Sequence, residues 1–181
     1  DHLPPVSPYV PQQIPLHLGP PSSNAANVTV DFSDYVKNVA SSEIYPTWPE
    51  SALRANIYAQ ISYALNRYYT EWYRSQGYDF DITSSTAIDQ FFVNGRSYFE
   101  NVARIVDELF NDYIVRSGDI TPLFARYCNG TTSTCPGGLS QWGTVTLANH
   151  LIKMLFFHYV IHRCIVVVKT GSAKGMRIFM F

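Results

Sequence analysis

Residues 34–72, DYVKNVASSEIYPTWPESALRANIYAQISYALNRYYTEW, decide the fold class and carry the first chemical signal. At helical spacing Val36, Val39, Ala40 and Glu43 share a face, because positions three, four and seven apart line up on a helix. A carboxylate therefore closes an otherwise apolar stripe, directly before Ile44, Tyr45, Pro46 and Trp48. Pro46 and Pro49 cannot continue a helix and predict an extended corner. Glu43 then sits at the C-terminal end of a short helix, where the macrodipole disfavours negative charge. Burial among the neighbouring aromatics pushes its pKa in the same direction, upward. A carboxyl so placed is a candidate proton donor near neutral pH. The ordinary alternative is a solvated acid at a helix end.

Outward from this stretch the pattern alternates between helix and strand. Upstream, Val28, Val30 and Phe32 alternate as a strand, and Ser33 or Asp34 is placed to cap the helix that carries Glu43. Residues 50 to about 76 form a second helix, with Leu53, Ile57, Ile61, Ala64 or Leu65, Tyr68 and Trp72 in one stripe. Gly77 ends it. Residues 78–82 alternate like an edge strand, and a long helix is expected from about 98 to 115 with Phe99, Val102, Val106, Leu109 and Tyr113 inward. A turn at Ser117, Gly118 and Asp119 leads to a strand over 123–127. A further helix starts near Gln141 and holds Leu147, Leu151, Leu155 and Tyr159. No repeat of solenoid period is present. The predicted class is α+β: a few long helices packed on a small, mostly antiparallel sheet, with extended loops forming a groove.

Composition bounds what this fold can do. With 181 residues the chain can build one domain with a real core and is short for two. The formal charge of −1 argues against a nucleic-acid binder. Its 13 Tyr and 11 Phe suit a sugar-stacking surface, although most aromatics are expected in the core. Residues 1–27 carry proline at 4, 5, 8, 11, 15, 20 and 21 and read as an extended linker around one short strand at 14–18. The chain opens on Asp1, His2 and Leu3 without a cationic region followed by an apolar one, so no signal peptide is legible and the start reads as a mature or truncated terminus. There is no Gly-x-Ser-x-Gly, P-loop or dinucleotide fingerprint.

Set in order, these residues resemble a known family. The order is Tyr35-Val36 opening a helix, Glu43 after Ser41-Ser42, Trp48-Pro49-Glu50, Ala52-Leu53-Arg54-Ala55-Asn56 and Ser62-Tyr63-Ala64-Leu65. This run is similar to that of the stage II sporulation protein D family, whose domain is shared with the amidase-enhancer proteins of bacterial cell-wall turnover. Three further blocks extend the likeness over residues 28–150: Gln90 to Gly95, the loop Pro122 to Thr134, and Leu139-Ser140-Gln141-Trp142-Gly143. The resemblance implies a peptidoglycan lytic transglycosylase in which Glu43 is the catalytic acid/base. It places the protein outside the cytoplasm, in the cell wall or the space between forespore and mother cell, with glycan strands and cell-wall hydrolases as partners. Nucleic acid is not among them, and no cofactor is required. Tyr45, Trp48, Asn56, Gln90, Ser140, Gln141 and Trp142 become the expected substrate-binding residues. For the polar ones, capping helices and loops is the competing role; for Tyr45 and Trp48 it is core packing.

The chain departs from the family in four places. Asn56 replaces a Gln, Ile61 replaces an Arg, an insertion before the Ser-Gln block is almost absent, and Cys135-Pro136-Gly137-Gly138 replaces a Gly-His-Gly. A non-catalytic peptidoglycan-binding or amidase-enhancing module is therefore the main alternative, and an interaction domain without wall affinity a third. Cys128 and Cys135 allow three readings: free thiols, a disulfide (which needs an oxidising location), or a zinc site of the kind some family members carry. Only His150 and His158 lie near enough to complete such a site. Residues 151–181 form an atypical tail. No Asp or Glu follows Asp119, and residues 161–168 read as a strand. The run is too interrupted by His158, His162 and Arg163 for a span of about 20 apolar residues. Truncation or a reading-frame slip near His150 would explain the departure; an amphipathic membrane contact is the other expectation.

Overall fold

The structure, a computed structural model, describes residues 10–149 and the backbone of residues 165–169. Strand β1 (Gln13–His17) lies at the centre of a three-stranded sheet, antiparallel to β2 (Asn27–Asp31) and parallel to β3 (Ile82–Thr83). The short strand expected at 14–18 is β1, and with Ile14 and Leu16 wholly buried it belongs to the core sheet rather than to an extended linker. Pro15 forfeits one donor, but its carbonyl accepts from Asp81 N at 3.0 Å. Burying two aliphatic side chains, about 1.5–3 kcal/mol each, outweighs that loss.

Helix α1 (Phe32–Glu43) follows β2 directly, with Asp31 at its N-cap rather than Ser33 or Asp34. Its apolar face, Tyr35, Val36, Val39 and Ala40, is sealed in the core. It stops where expected: Ile44 turns to extended backbone while its N–H still donates to Ala40 O at 3.1 Å.

Helix α2 (Glu50–Tyr69) crosses the middle of the molecule and packs on α1, α3 (Glu100–Leu109), α4 (Gln141–Asn149) and β4 (Asp112–Arg116). Its stripe of Leu53, Ile57, Ile61, Ala64 and Leu65 is buried as predicted, but so are Asn56, Gln60, Ser62 and Arg67. The helix ends at Tyr69, short of 76. Glu71 takes a left-handed φ of 50°, a separate 3₁₀ turn covers Arg74–Gln76, and Gly77 (φ 89°) closes that turn instead. Trp72 consequently leaves the stripe and is exposed.

Helix α3 (Glu100–Leu109) is shorter than the expected 98–115. Residues Asp112–Arg116 form strand β4, where Tyr113, Ile114 and Val115 are all buried. A β-branched and aromatic run buried on both faces favours the strand over continued helix. Phe99, expected inward, is exposed. The edge strand over 78–82 shrinks to β3, and the strand over 123–127 shrinks to β5 (Tyr127–Cys128), parallel to β6 (Leu139–Ser140). Helix α4 (Gln141–Asn149) starts as expected. Strand β7 (Ile165–Lys169), inside the stretch read as an atypical tail, pairs antiparallel with β4 over five residues. Leu151, Leu155 and Tyr159, with the rest of the tail and its membrane-contact and frame-slip expectations, lie outside the described residues.

The fold is α+β. Instead of one sheet the described residues form three small ones, and the two-residue β1–β3 and β5–β6 ladders are parallel. Antiparallel pairing still dominates in length, at five residues each for β1–β2 and β4–β7.

Candidate functional site

Glu43 is the last residue of α1, half-buried where that helix meets α2. Its Oε1 accepts from the Phe91 main-chain N–H at 2.8 Å. Its Oε2 accepts from Gln60 Nε2 at 2.9 Å and from the Tyr127 hydroxyl at 2.6 Å. Burial pushes the carboxyl up to about 7, against the downward pull of these three bonds. All three donors are neutral, and no cation among the described residues restores the usual acidity. The group is therefore divided between acid and carboxylate at neutral pH, and can give a proton and take one back.

The segment that supplies Phe91 is fixed from two sides. Asp89 Oδ1 accepts from Arg67 Nε at 2.9 Å and from Tyr63 OH at 3.0 Å. Asp89 Oδ2 accepts from Tyr73 OH at 2.5 Å, Thr83 Oγ1 at 2.8 Å and Thr83 N at 3.1 Å. Its side chain is fully enclosed, so this second carboxylate cannot reach a bound molecule. On the other side Asn38 of α1 clasps Val93, donating from Nδ2 to its carbonyl at 2.7 Å and accepting from its N–H at 2.8 Å. The residues between, Gln90 and Phe91, have little freedom.

Gln90 sits beneath Glu43 rather than in front of it. It is wholly buried. Its Oε1 accepts from Tyr35 OH at 2.8 Å, and its Nε2 donates to the Gln60 main-chain carbonyl at 3.1 Å and to Tyr127 OH at 3.0 Å. The expected substrate contact is thus corrected to a support for Tyr127. Asn56 is corrected similarly: buried to 1% exposure, it donates from Nδ2 to Thr144 Oγ1 at 2.9 Å and ties α2 to α4. Gln141 is buried at the start of α4, and the Ser140 hydroxyl accepts from Gly143 N at 3.0 Å, the capping role that competed with sugar binding. Ser140 also fills the space beside Gly130, whose positive φ of 86° and missing Cβ permit the close approach.

The aromatic residues expected at the surface do meet. Tyr45, Trp48 and Trp142 form a cluster, with ring centroids 5.8 Å apart for Tyr45 and Trp48, 6.0 Å for Tyr45 and Trp142, and 4.8 Å for Trp48 and Trp142. Trp48 is buried under the other two, while Tyr45 and Trp142 show 58% and 36% of their surface. The cluster begins two residues past Glu43 in the chain, at the corner that ends α1.

Cys128 and Cys135 are joined by a disulfide. This selects one of the three cysteine readings, since disulfide sulfurs offer no thiolate for zinc. The bridge closes the loop that follows Tyr127, and Cys128 sits on β5 beside it.

Three groups of the site were missed in the sequence: Gln60, Tyr127 and the Phe91 N–H. Gln60 lies one helical turn beyond Asn56, and two amides on an otherwise apolar face were a readable signal. Tyr127 stands in Ala125-Arg126-Tyr127, the strand of the family likeness, but its distance from Glu43 in sequence hid the contact. A main-chain donor leaves no sequence signature.

Comparison with known proteins agrees with the likeness. No curated protein is significantly similar to the chain. The family model SpoIID, Stage II sporulation protein, matches residues 22–109, a stretch that holds Glu43, Gln60 and Phe91 and stops short of Tyr127. That match, over 88 of the 181 residues, supports assigning the chain to the SpoIID, Stage II sporulation protein, family.

Proposed function

We propose that the chain is a peptidoglycan lytic transglycosylase acting on glycan strands outside the cytoplasm, in sporulation or cell-wall remodelling. The observation that carries this reading is Glu43: half-buried, bonded among the described residues by three neutral donors, and held at about 7. Protonated Glu43 donates to the oxygen that links C1 of N-acetylmuramic acid to N-acetylglucosamine. The resulting carboxylate takes the proton of the muramic C6 hydroxyl, and that oxygen bonds to C1. The products are a 1,6-anhydro end and a free N-acetylglucosamine hydroxyl, with no water consumed. One carboxyl serves both transfers because the nucleophile belongs to the substrate, unlike glycosidases that need a pair. No cofactor enters the step. Tyr45 and Trp142 offer the sugar a stacking face. The Cys128–Cys135 disulfide supports a location outside the cytoplasm.

Mass spectrometry of peptide-stripped glycan strands after incubation tests the reading. Anhydro ends should form, and Glu43→Gln should reduce them by about 10²–10⁴-fold. Activity should fall as pH rises through about 7, because the donor form is lost. The second reading, a binding or amidase-enhancing module, draws on Ile61, which is wholly buried where the family has an arginine. Strand pull-down without anhydro ends would decide for it.

A further inference from the structure

Gln60 is the partner of Glu43 whose own bonding is incomplete. Its Nε2 donates to Glu43 Oε2, while its Oε1 is buried and meets no donor among the described residues. Buried amides are normally satisfied at both ends. This one forgoes a bond and keeps the N–H on the carboxyl. The surrounding network also fixes which way the second donor points. The Gln60 main-chain carbonyl can only accept, so the Gln90 amide must turn Nε2 toward it. The same Nε2 donates to the Tyr127 oxygen, which leaves the Tyr127 hydrogen aimed at Glu43 Oε2. Oε2 thus faces two directed donors. Among the described residues Oε1 meets a single donor, the Phe91 N–H, at the exposed side of the site.

We infer that Gln60 is a positioning residue which, with Tyr127, keeps Glu43 Oε2 an acceptor in both protonation states, so that the working proton is carried on Oε1. The inference rests on the proposed role of Glu43 as the acid and says which of its oxygens acts. In the carboxylate the two donors bond a charged oxygen; in the acid they bond a carbonyl oxygen. Nothing in the buried layer has to turn over as the proton leaves and returns, which is the condition for a preorganised site. Among the described residues the titratable groups facing Glu43 are Tyr35 from α1 and Tyr127 from β5. Burial holds both phenols well above their ordinary range, so neither exchanges protons near neutrality. Gln60 from α2 and the Phe91 N–H are uncharged.

Amide nitrogen–proton correlation spectra of the whole chain, titrated through neutral pH without substrate, test this. The Phe91 main-chain amide should shift with the Glu43 titration, because its acceptor is the oxygen that gains the proton. The Gln60 side-chain amide should shift much less. Gln60→Met keeps the length and removes the donor; the Glu43 midpoint should rise by about one unit, and the response should no longer be confined to Phe91. A larger shift at Gln60 than at Phe91 in the unaltered chain overturns the inference, as does an unmoved midpoint in Gln60→Met. If that variant fails to fold, the unaltered chain's spectra decide alone. The readout needs no catalysis, so absent anhydro ends would sink the proposed reaction separately, whereas cleavage with the reversed spectral pattern would sink only the assignment of the proton.

Discussion

Two enclosed carboxyls, Asp89 and Glu43, stand at opposite ends of one short segment and are treated in opposite ways. Asp89 meets Arg67 and hydrogen-bond donors from Tyr63, Tyr73 and Thr83, all inside the protein. Glu43 meets three neutral donors and retains an opening to solvent. The first arrangement gives the charge a permanent counter-ion and makes a clamp. The second withholds the counter-ion and leaves the proton free to come and go. The two are linked mechanically, because the Asp89 clamp is what brings the Phe91 N–H to Glu43.

The largest test of this contrast is Asp89→Asn. It leaves Arg67 buried without its counter-ion and should cost about 3–5 kcal/mol in urea denaturation. A loss near that of an ordinary surface change would show that the clamp is not what secures the segment.

Next in size is the pH dependence of stability. Below the ordinary Glu value of 4.5, folded and unfolded chains both hold the proton. Between 4.5 and about 7 the unfolded chain releases a proton that the folded chain retains, so stability falls as pH rises. The full loss above neutrality is about 3 kcal/mol. Glu43→Gln should remove this slope, because an amide does not titrate in this range, and the variant should outlast the unaltered chain at alkaline pH. Denaturation series of both chains at several pH values check it.

Reducing the disulfide between Cys128 and Cys135 should cost about 2 kcal/mol, the chain-entropy value for so short a loop. Denaturation with and without reductant measures this. The smallest expected effect is Tyr127→Phe, about 1–2 kcal/mol for one buried hydroxyl. Its sharper mark is on Glu43: with one donor to the carboxylate gone, the alkaline limb of activity should move to higher pH. An unmoved limb would mean the 2.6 Å bond does not restrain the acid.

What the sequence revealed followed the range of the interactions. The Glu43 corner was legible because helical spacing and two prolines act within a few residues. The same local signals placed α2 and the start of α4. They failed where distant partners decide the outcome. Pro15 argues locally against a central strand, yet β2 and β3 on either side of β1 hold it there. Residues 112–116 extend a plausible helical stripe, but burial of both faces makes them β4. Gln90 was picked out correctly as important and misread as exposed, since only the folded chain brings Tyr35, Gln60 and Tyr127 around it.

Tyr127 lies beyond residue 109, where the match to the family model ends, while the acid it restrains lies within that match. The reactive group and part of its tuning are written in separate stretches of the gene. Substitutions downstream can therefore reset the acidity range in which an unaltered glutamate works, so that members of one lineage could suit differently acidified compartments without touching the frame that carries the chemistry.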